Sequence, residues 1–278
     1  MKHREMRLPG CQDVELFAQA WLPDRNPEAL VVISHGLAEH GGRYSELADD
    51  LVARGYAVYA LDHRGHGRSS GPRANVGRFS YLVTDLGTCI GRAQRQHPGA
   101  PVFLLGHSMG GAVALAFALR DASLLTGLVL SAPTLAVGEV PPPLKLLTVR
   151  LLSVLAPNTG AWTLQAEAIS RDPQVVHAYE RDPLVHRGPI PARTIAELMQ
   201  AMADFPAAMP GLRIPVLVQH GMGDRLVPLA AARPVYERLG TPKSRTVRLY
   251  EGLFHEVYNE PERGKVIADL VAWLDARR

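Results

Sequence analysis

The sequence predicts an α/β protein, with a mainly parallel central sheet, helices on both faces and an inserted helical cap. Three observations predict it. Short apolar runs alternate with segments of helical spacing over most of the 278 residues. The alternation stops from residue 134 to about 210, a block with many prolines and no convincing strand. The run Pro101-Val102-Phe103-Leu104-Leu105 leads into Gly106-His107-Ser108-Met109-Gly110, and helical spacing (Ala112, Val113, Leu115, Ala116, Ala118, Leu119) follows at once. The expected organisation is a core from 1–133, a cap from 134–210 and the rest of the core from 211–278.

Taken in order, Glu15 to Leu22 reads as a first strand, ended by Pro23-Asp24. Ala29 to Ser34 is continuously apolar, as a strand buried on both faces should be. Arg43 to Arg54 has helical spacing and stops at Gly55. Tyr56 to Leu61 is the next strand, with the loop Asp62 to Gly71 behind it, and Tyr81 to His97 is a helix stopped by Pro98-Gly99. The strand and helix around Ser108 follow, then a strand from Leu125 to Leu130. Beyond the middle block come a strand at Pro215 to Gln219, a helix from Leu229 to Leu239, a strand at Thr246 to Tyr250 and a helix from Pro261 to Ala276. There is no internal repeat and no low-complexity tract.

Composition narrows the function. Apolar residues at 47% and charged residues at 21% describe an ordinary globular protein. A net charge of +3 gives no reason to expect nucleic acid. The densest basic stretch, with Arg64, Arg68, Arg73 and Arg78, reads as a solvated loop face. Two cysteines, Cys11 and Cys89, make neither a disulfide framework nor a metal spacing and fit a reducing cytoplasm. The charged start, Met1 to Arg7, has no apolar signal core after it, and no apolar run is long enough to span a bilayer.

Strand, sharp turn and helix around Gly-x-Ser-x-Gly are the context of a nucleophile elbow. Ser108 must take a strained backbone position to project its hydroxyl, and glycine on either side avoids collision where strand and helix nearly touch. Chance would place such flanking glycines around some serine about 0.1 times in a chain of this composition, so the pattern needs partners.

A serine hydroxyl needs a base within hydrogen-bond reach and an acid that orients the base, in the chain order Ser, Asp or Glu, His. Of the histidines after Ser108, His177 and His186 fall in the cap block and His220 ends a strand; His255 lies just past the last strand. Asp224 leaves the end of the preceding strand, whereas Asp172, Asp182 and Asp204 lie in the cap block and Asp269 follows the histidine. Ser108, Asp224 and His255 are therefore the expected triad. The oxyanion hole should use the backbone N–H of Met109 and of Leu37, after His35-Gly36.

These residues carry a resemblance. His35 to Tyr44 (HGLAEHGGRY) resembles the HGxxEHxxRY segment of monoacylglycerol lipases and related lysophospholipase-like α/β-hydrolases. Asp62 to Ser69 resembles their DxRGHGxS loop, and Gly106 to Gly110 is similar to their GHSMG elbow. Tyr179 to Leu184, Asp224 and Tyr250 to Glu256 complete a set spanning about residues 28 to 260, with Ala38 where the family often has glycine. The resemblance implies an α/β-hydrolase fold and hydrolysis of a monoacylglycerol to glycerol and a fatty acid through an acyl-enzyme on Ser108. It also implies that Glu39, Arg43, His107 and Tyr179 lie near the glycerol head group, with no metal or organic cofactor.

The cap from Thr134 to Thr163 departs from the family pattern, so acyl-chain length stays open. Leu144 to Leu155 holds only Lys145, Thr148, Arg150 and Ser153 as polar residues, an excess of apolar surface that could line an acyl tunnel or touch a lipid surface. Competing readings are the same triad acting on a lysophospholipid or another carboxylic ester, and a non-catalytic small-molecule receptor on this scaffold. Haloalkane or epoxide chemistry would favour Asp at the elbow. The expected partner is a small lipid ester, the expected location cytoplasmic with peripheral membrane contact through the cap, and the oligomeric state stays open.

Overall fold

In a computed structural model, which describes residues 1–135 and 143–278, one eight-stranded sheet carries the molecule. The Pro141-Pro142 part of the expected cap lies outside the described residues. In chain order the elements are β1 (Lys2–Pro9), β2 (Glu15–Leu22), β3 (Ala29–Ser34), α1 (Ser45–Val52), β4 (Tyr56–Leu61), α2 (Phe79–Gln96), β5 (Val102–His107), α3 (Met109–Arg120) and β6 (Gly127–Ser131). Then follow α4 (Pro143–Leu155), β7 (Gly160–Trp162), α5 (Pro173–Arg181), β8 (Ile190–Pro191) and α6 (Ala192–Ala208). The chain closes with β9 (Val216–Gly221), α7 (Leu229–Tyr236), β10 (Arg245–Tyr250) and α8 (Arg263–Asp275).

The strand order is β1-β2-β4-β3-β5-β6-β9-β10. β2 runs antiparallel to both neighbours, and from β4 to β10 every pairing is parallel. Parallel neighbours need crossover helices, which cover both faces, so β3, β4, β5 and β6 are buried throughout. Their continuous Val, Leu, Ile and Ala runs are what that position demands. One apolar core lies under α2, α3 and α7, the other under α1 and α8. Each large apolar side chain buried there contributes about 1.5–3 kcal/mol.

The sequence reading placed the inner strands closely and missed three others. β1 is a mostly exposed edge strand, and its alternation of Lys2, Arg4 and Glu5 carries no apolar signal. It is held by an antiparallel register with β2, from Lys2 opposite Leu22 to Pro9 opposite Glu15. Its charges suit an edge that must not pair with other chains. The middle block, read as free of strands, contains the short antiparallel pair β7 and β8.

The basic loop is only partly the solvated face that its composition predicts. Arg68, Arg73 and Arg78 are exposed as expected, but Arg64 is buried. Its Nε donates to Asp85 Oδ2 at 2.7 Å and its Nη2 to the Cys11 carbonyl at 2.7 Å. Asp62 accepts N–H groups from Gly41 and Arg68, each at 2.8 Å, and so ties this loop to the turn after β3. The DxRGHGxS segment is a brace under the site.

Candidate active site

The ends of β3, β5, β9 and β10 meet at one edge of the sheet, where the chain reverses its direction of travel between β3 and β5. Such a switch point opens a crevice outside the carboxyl ends of the strands. Ser108 stands there between β5 and α3, with φ 52° and ψ −119°. An L-residue pays for this conformation in strain, which the surroundings must impose. They do so by close packing: a Cβ on Gly106 would lie 2.4 Å from the Gly110 carbonyl oxygen. A Cβ on Gly110 would lie 2.0 Å from the Ser34 carbonyl oxygen. Ser108 N–H donates to the Ser131 carbonyl at 3.0 Å, and its own carbonyl accepts from Gly111 and Thr134. Ser108 Oγ lies 3.3 Å from Thr134 Oγ1.

His255 Nδ1–H donates to Asp224 Oδ2 at 2.7 Å, and both residues are buried. The other oxygen, Asp224 Oδ1, accepts the N–H groups of Leu226 at 2.8 Å and Val227 at 2.9 Å. Burial would raise the Asp224 carboxyl, but the His255 charge, its hydrogen bond and the Val227 N–H outweigh that and hold it below the usual range. Burial would likewise lower His255; the Asp224 charge and hydrogen bond, helped by Glu256 and Glu39, prevail and raise it.

A narrow cleft joins these groups. Ser108 and His255 line it with Leu37, Glu39, His107 and Tyr179. Among the described residues no protein acceptor takes the N–H of Leu37 or of Met109. Ala38 beside Leu37 has φ 69°, a conformation that glycine takes without strain, so the departure from the family pattern falls on a position with a preference for glycine.

The four expected head-group residues are all at or beside the cleft, with many of their polar atoms already engaged. Glu39 Oε1 accepts the Gly36 N–H at 2.6 Å and the Tyr44 hydroxyl at 2.8 Å, bracing the turn that carries Leu37. Arg43 Nη1 donates to Glu39 Oε2 at 2.7 Å and to Glu256 Oε1 at 2.5 Å, and Nη2 donates to Glu256 Oε2 at 2.6 Å. The Arg43 guanidinium also lies 4.8 Å from the centre of the Tyr179 ring. Burial raises the Glu39 carboxyl despite Arg43, whereas the bidentate Arg43 contact overcomes burial and brings Glu256 to about 2. His107 directs Nδ1 to the Ser131 carbonyl at 3.1 Å, and its ring centre is 4.7 Å from that of His255. Burial, then the His255 charge, bring it to about 3, so it stays neutral.

Sequence reasoning gave no role to Glu256, Thr134 or His220. Glu256 carried one usable signal, its place directly after His255. The other two are recognisable only once distant segments meet.

A sheet parallel from β4 to β10, with β2 antiparallel and a strained serine turn after β5, defines an α/β-hydrolase. Residues 25–262 match the family model described as "Serine aminopeptidase, S33" (Hydrolase_4). The chain is 40% identical over 270 residues to a monoacylglycerol lipase of Mycolicibacterium smegmatis, covering 97% of this chain and 96% of that one. It is 36% identical over 265 residues to the human monoglyceride lipase, covering 94% and 87% of the two chains. The crystal structure of a monoacylglycerol lipase from Paleococcus ferrophilus superimposes with a TM-score of 0.84 at 29% identity, over 95% of this chain and 99% of that one. The chain belongs to the Hydrolase_4 family and is a homologue of these lipases, as the motif set implied.

Proposed function

We propose that this protein hydrolyses monoacylglycerols with Ser108 as nucleophile, His255 as base and Asp224 as orienting acid. One observation carries the reading: Ser108 and His255 face one cleft, and the 2.7 Å contact to Asp224 fixes Nδ1 as the protonated nitrogen of His255. Nε2 is then free to take the Ser108 proton as Oγ attacks the ester carbonyl carbon. The oxyanion forms beside the backbone N–H groups of Leu37 and Met109. Its collapse breaks the carbonyl carbon–oxygen bond to glycerol, and His255 passes its proton to the departing glycerol oxygen. A water molecule, deprotonated by His255, attacks the acyl carbon; the acyl carbon–Ser108 Oγ bond then breaks, His255 returns the proton to Oγ, and the fatty acid leaves.

The described residues of the expected cap, 134–135 and 143–210, act as the cover of this cleft; Leu164, Ile169 and Tyr179 line it. Glu39, Arg43, His107 and Tyr179 form the polar end where a glycerol head fits. Glu39 and Arg43 serve it largely by holding the Leu37 turn and Glu256 in place. The homologues named as monoacylglycerol lipases support this substrate over other esters. A panel of monoacylglycerols of increasing chain length, beside lysophosphatidylcholine and aryl esters, tests it. The highest kcat/KM should fall on a monoacylglycerol; preference for the lysophospholipid at every chain length contradicts the proposal.

No helix among the described residues is long and apolar enough to cross a membrane. α4 packs against α6 and leaves Leu147, Leu151, Val154 and Leu155 more than half exposed along one stripe. That stripe suits transient contact with a lipid surface, where a monoacylglycerol resides. Leu151→Glu with Leu155→Glu should abolish co-sedimentation with phosphatidylcholine vesicles and spare turnover of a water-soluble ester; unchanged sedimentation counts against the contact. The free Cys11 and Cys89 suit a reducing, cytoplasmic setting.

A further inference from the structure

His220 is buried beside the candidate acid, and the mechanism above gives it no part. It sits in β9, and its side chain and that of Asp224 are both fully inaccessible. Its Nδ1 lies 2.6 Å from the hydroxyl of Tyr236, a buried residue of α7. Burial keeps that phenol protonated, so the hydroxyl donates and Nδ1 accepts. The ring proton therefore sits on Nε2. Nε2 donates to the Val227 carbonyl at 3.0 Å and stands 3.4 Å from Asp224 Oδ2, the oxygen that also holds His255. Val227 in turn gives its N–H to Asp224 Oδ1. Tyr236, His220 and Val227 thus close a ring around the loop that presents Asp224.

We propose that His220 is a positioning residue for the hydrolytic reaction: locked in one tautomer by Tyr236, it pins the Asp224 loop and turns a polarised N–H toward Asp224 Oδ2. This rests on the reading of Ser108, His255 and Asp224 as the triad. Two effects follow from it. Fixing the loop keeps Asp224 aligned with His255 Nδ1, which matters in the transition state and not in substrate binding. The nearby N–H also draws off part of the carboxylate charge that would otherwise favour the imidazolium. Among the described residues, the charged and titratable groups facing His255 are Asp224, Glu256, Glu39, His107, Tyr179 and His220. Replacing His220 leaves the others in place.

The test compares His220→Leu, His220→Gln and Tyr236→Phe with the wild type. Glutamine can still offer an N–H toward Val227 and Asp224; leucine cannot. His220→Leu should lower kcat about tenfold, the scale of a lost contact to a charged group, and leave KM within about twofold. The acid limb of its kcat/KM profile should move up by about half a pH unit. His220→Gln should recover most of kcat, and Tyr236→Phe should fall between the two. Should His220→Leu not fold, the other two variants carry the comparison. Side-chain NMR titration of His255 in a Ser108→Ala background reads the same pKa shift without turnover. Failure of the triad reading would show separately, as turnover retained by Ser108→Ala, while the His255 titration still reports on His220. An unchanged limb and titration, or glutamine as impaired as leucine, would overturn the proposal and leave His220 a packing residue.

Discussion

At the scale of single residues, the site is a set of opposed electrostatic demands. Burial works against the charged form of both Asp224 and His255, and their mutual contact reverses it for each. Since His255 is raised above 6.5, kcat/KM should rise with pH along a limb whose midpoint lies above 6.5. A midpoint clearly below 6.5 contradicts that assignment. Asp224→Asn keeps the shape but loses the charge and the tautomer control, so kcat should drop about 10^3–10^4-fold with the fold intact by circular dichroism. The three residues of the proposed triad could be picked out because each follows a strand end in a fixed order, and His255 and Asp224 lie 2.7 Å apart. The partners around them could not, because Arg43 and Glu256 stand 213 positions apart in the chain. His220 was passed over as a strand end, and only the fold shows Tyr236 and Val227 on its two ring nitrogens.

Among elements, the elbow is the most sharply specified. Its glycines were legible as a steric requirement, and the structure identifies the obstacles: backbone carbonyls of Ser34 and His35 at 2.0 and 2.3 Å from a Cβ on Gly110. Backbone cannot yield as a side-chain end can. Gly110→Ala should therefore destabilise by about 3 kcal/mol or more, read as a lower urea midpoint, and should cost activity along with stability. A midpoint equal to the wild type would show that β3 and α3 can separate. The inner strands were legible for a related reason, since burial on both faces demands uninterrupted apolar residues. β1 was not, because an exposed edge strand is specified by its register with β2 and leaves no hydrophobic period. β7 and β8 are too short for any period to show.

For the whole molecule, the loops at the carboxyl edge are held by buried imidazoles kept neutral. His35 Nε2 accepts the His63 backbone N–H at 2.8 Å, and its ring packs against those of both His63 and His66. Burial first, then neighbouring positive charge, bring His63 to about 3 and His66 to about 4, as they bring His107 to about 3. Each takes a proton in the unfolded chain below about 6.5 but not in the fold. Their contribution is complete above that pH and falls as the pH drops toward 4, by about 1.4 kcal/mol per pH unit for each imidazole. His255 has the opposite sign, giving stability below 6.5 that is lost as the pH rises through its folded value, and the buried imidazoles held neutral, His35 and His220 among them, outnumber it. The urea midpoint should fall steadily from pH 6.5 to 4.5; a flat profile contradicts the neutral cluster. The α/β architecture was legible from alternation alone, but this cluster depends on residues 35, 63 and 66 converging.

On the proposed function, Ser108 forms the acyl-enzyme with a monoacylglycerol. The direct measurement is the initial rate of fatty acid release from monooleoylglycerol by the wild type and by Ser108→Ala, with both proteins shown to melt alike. The wild type should release fatty acid readily, and the variant should lose about 10^5–10^6-fold. Turnover by Ser108→Ala within about tenfold of the wild type would contradict that role for Ser108.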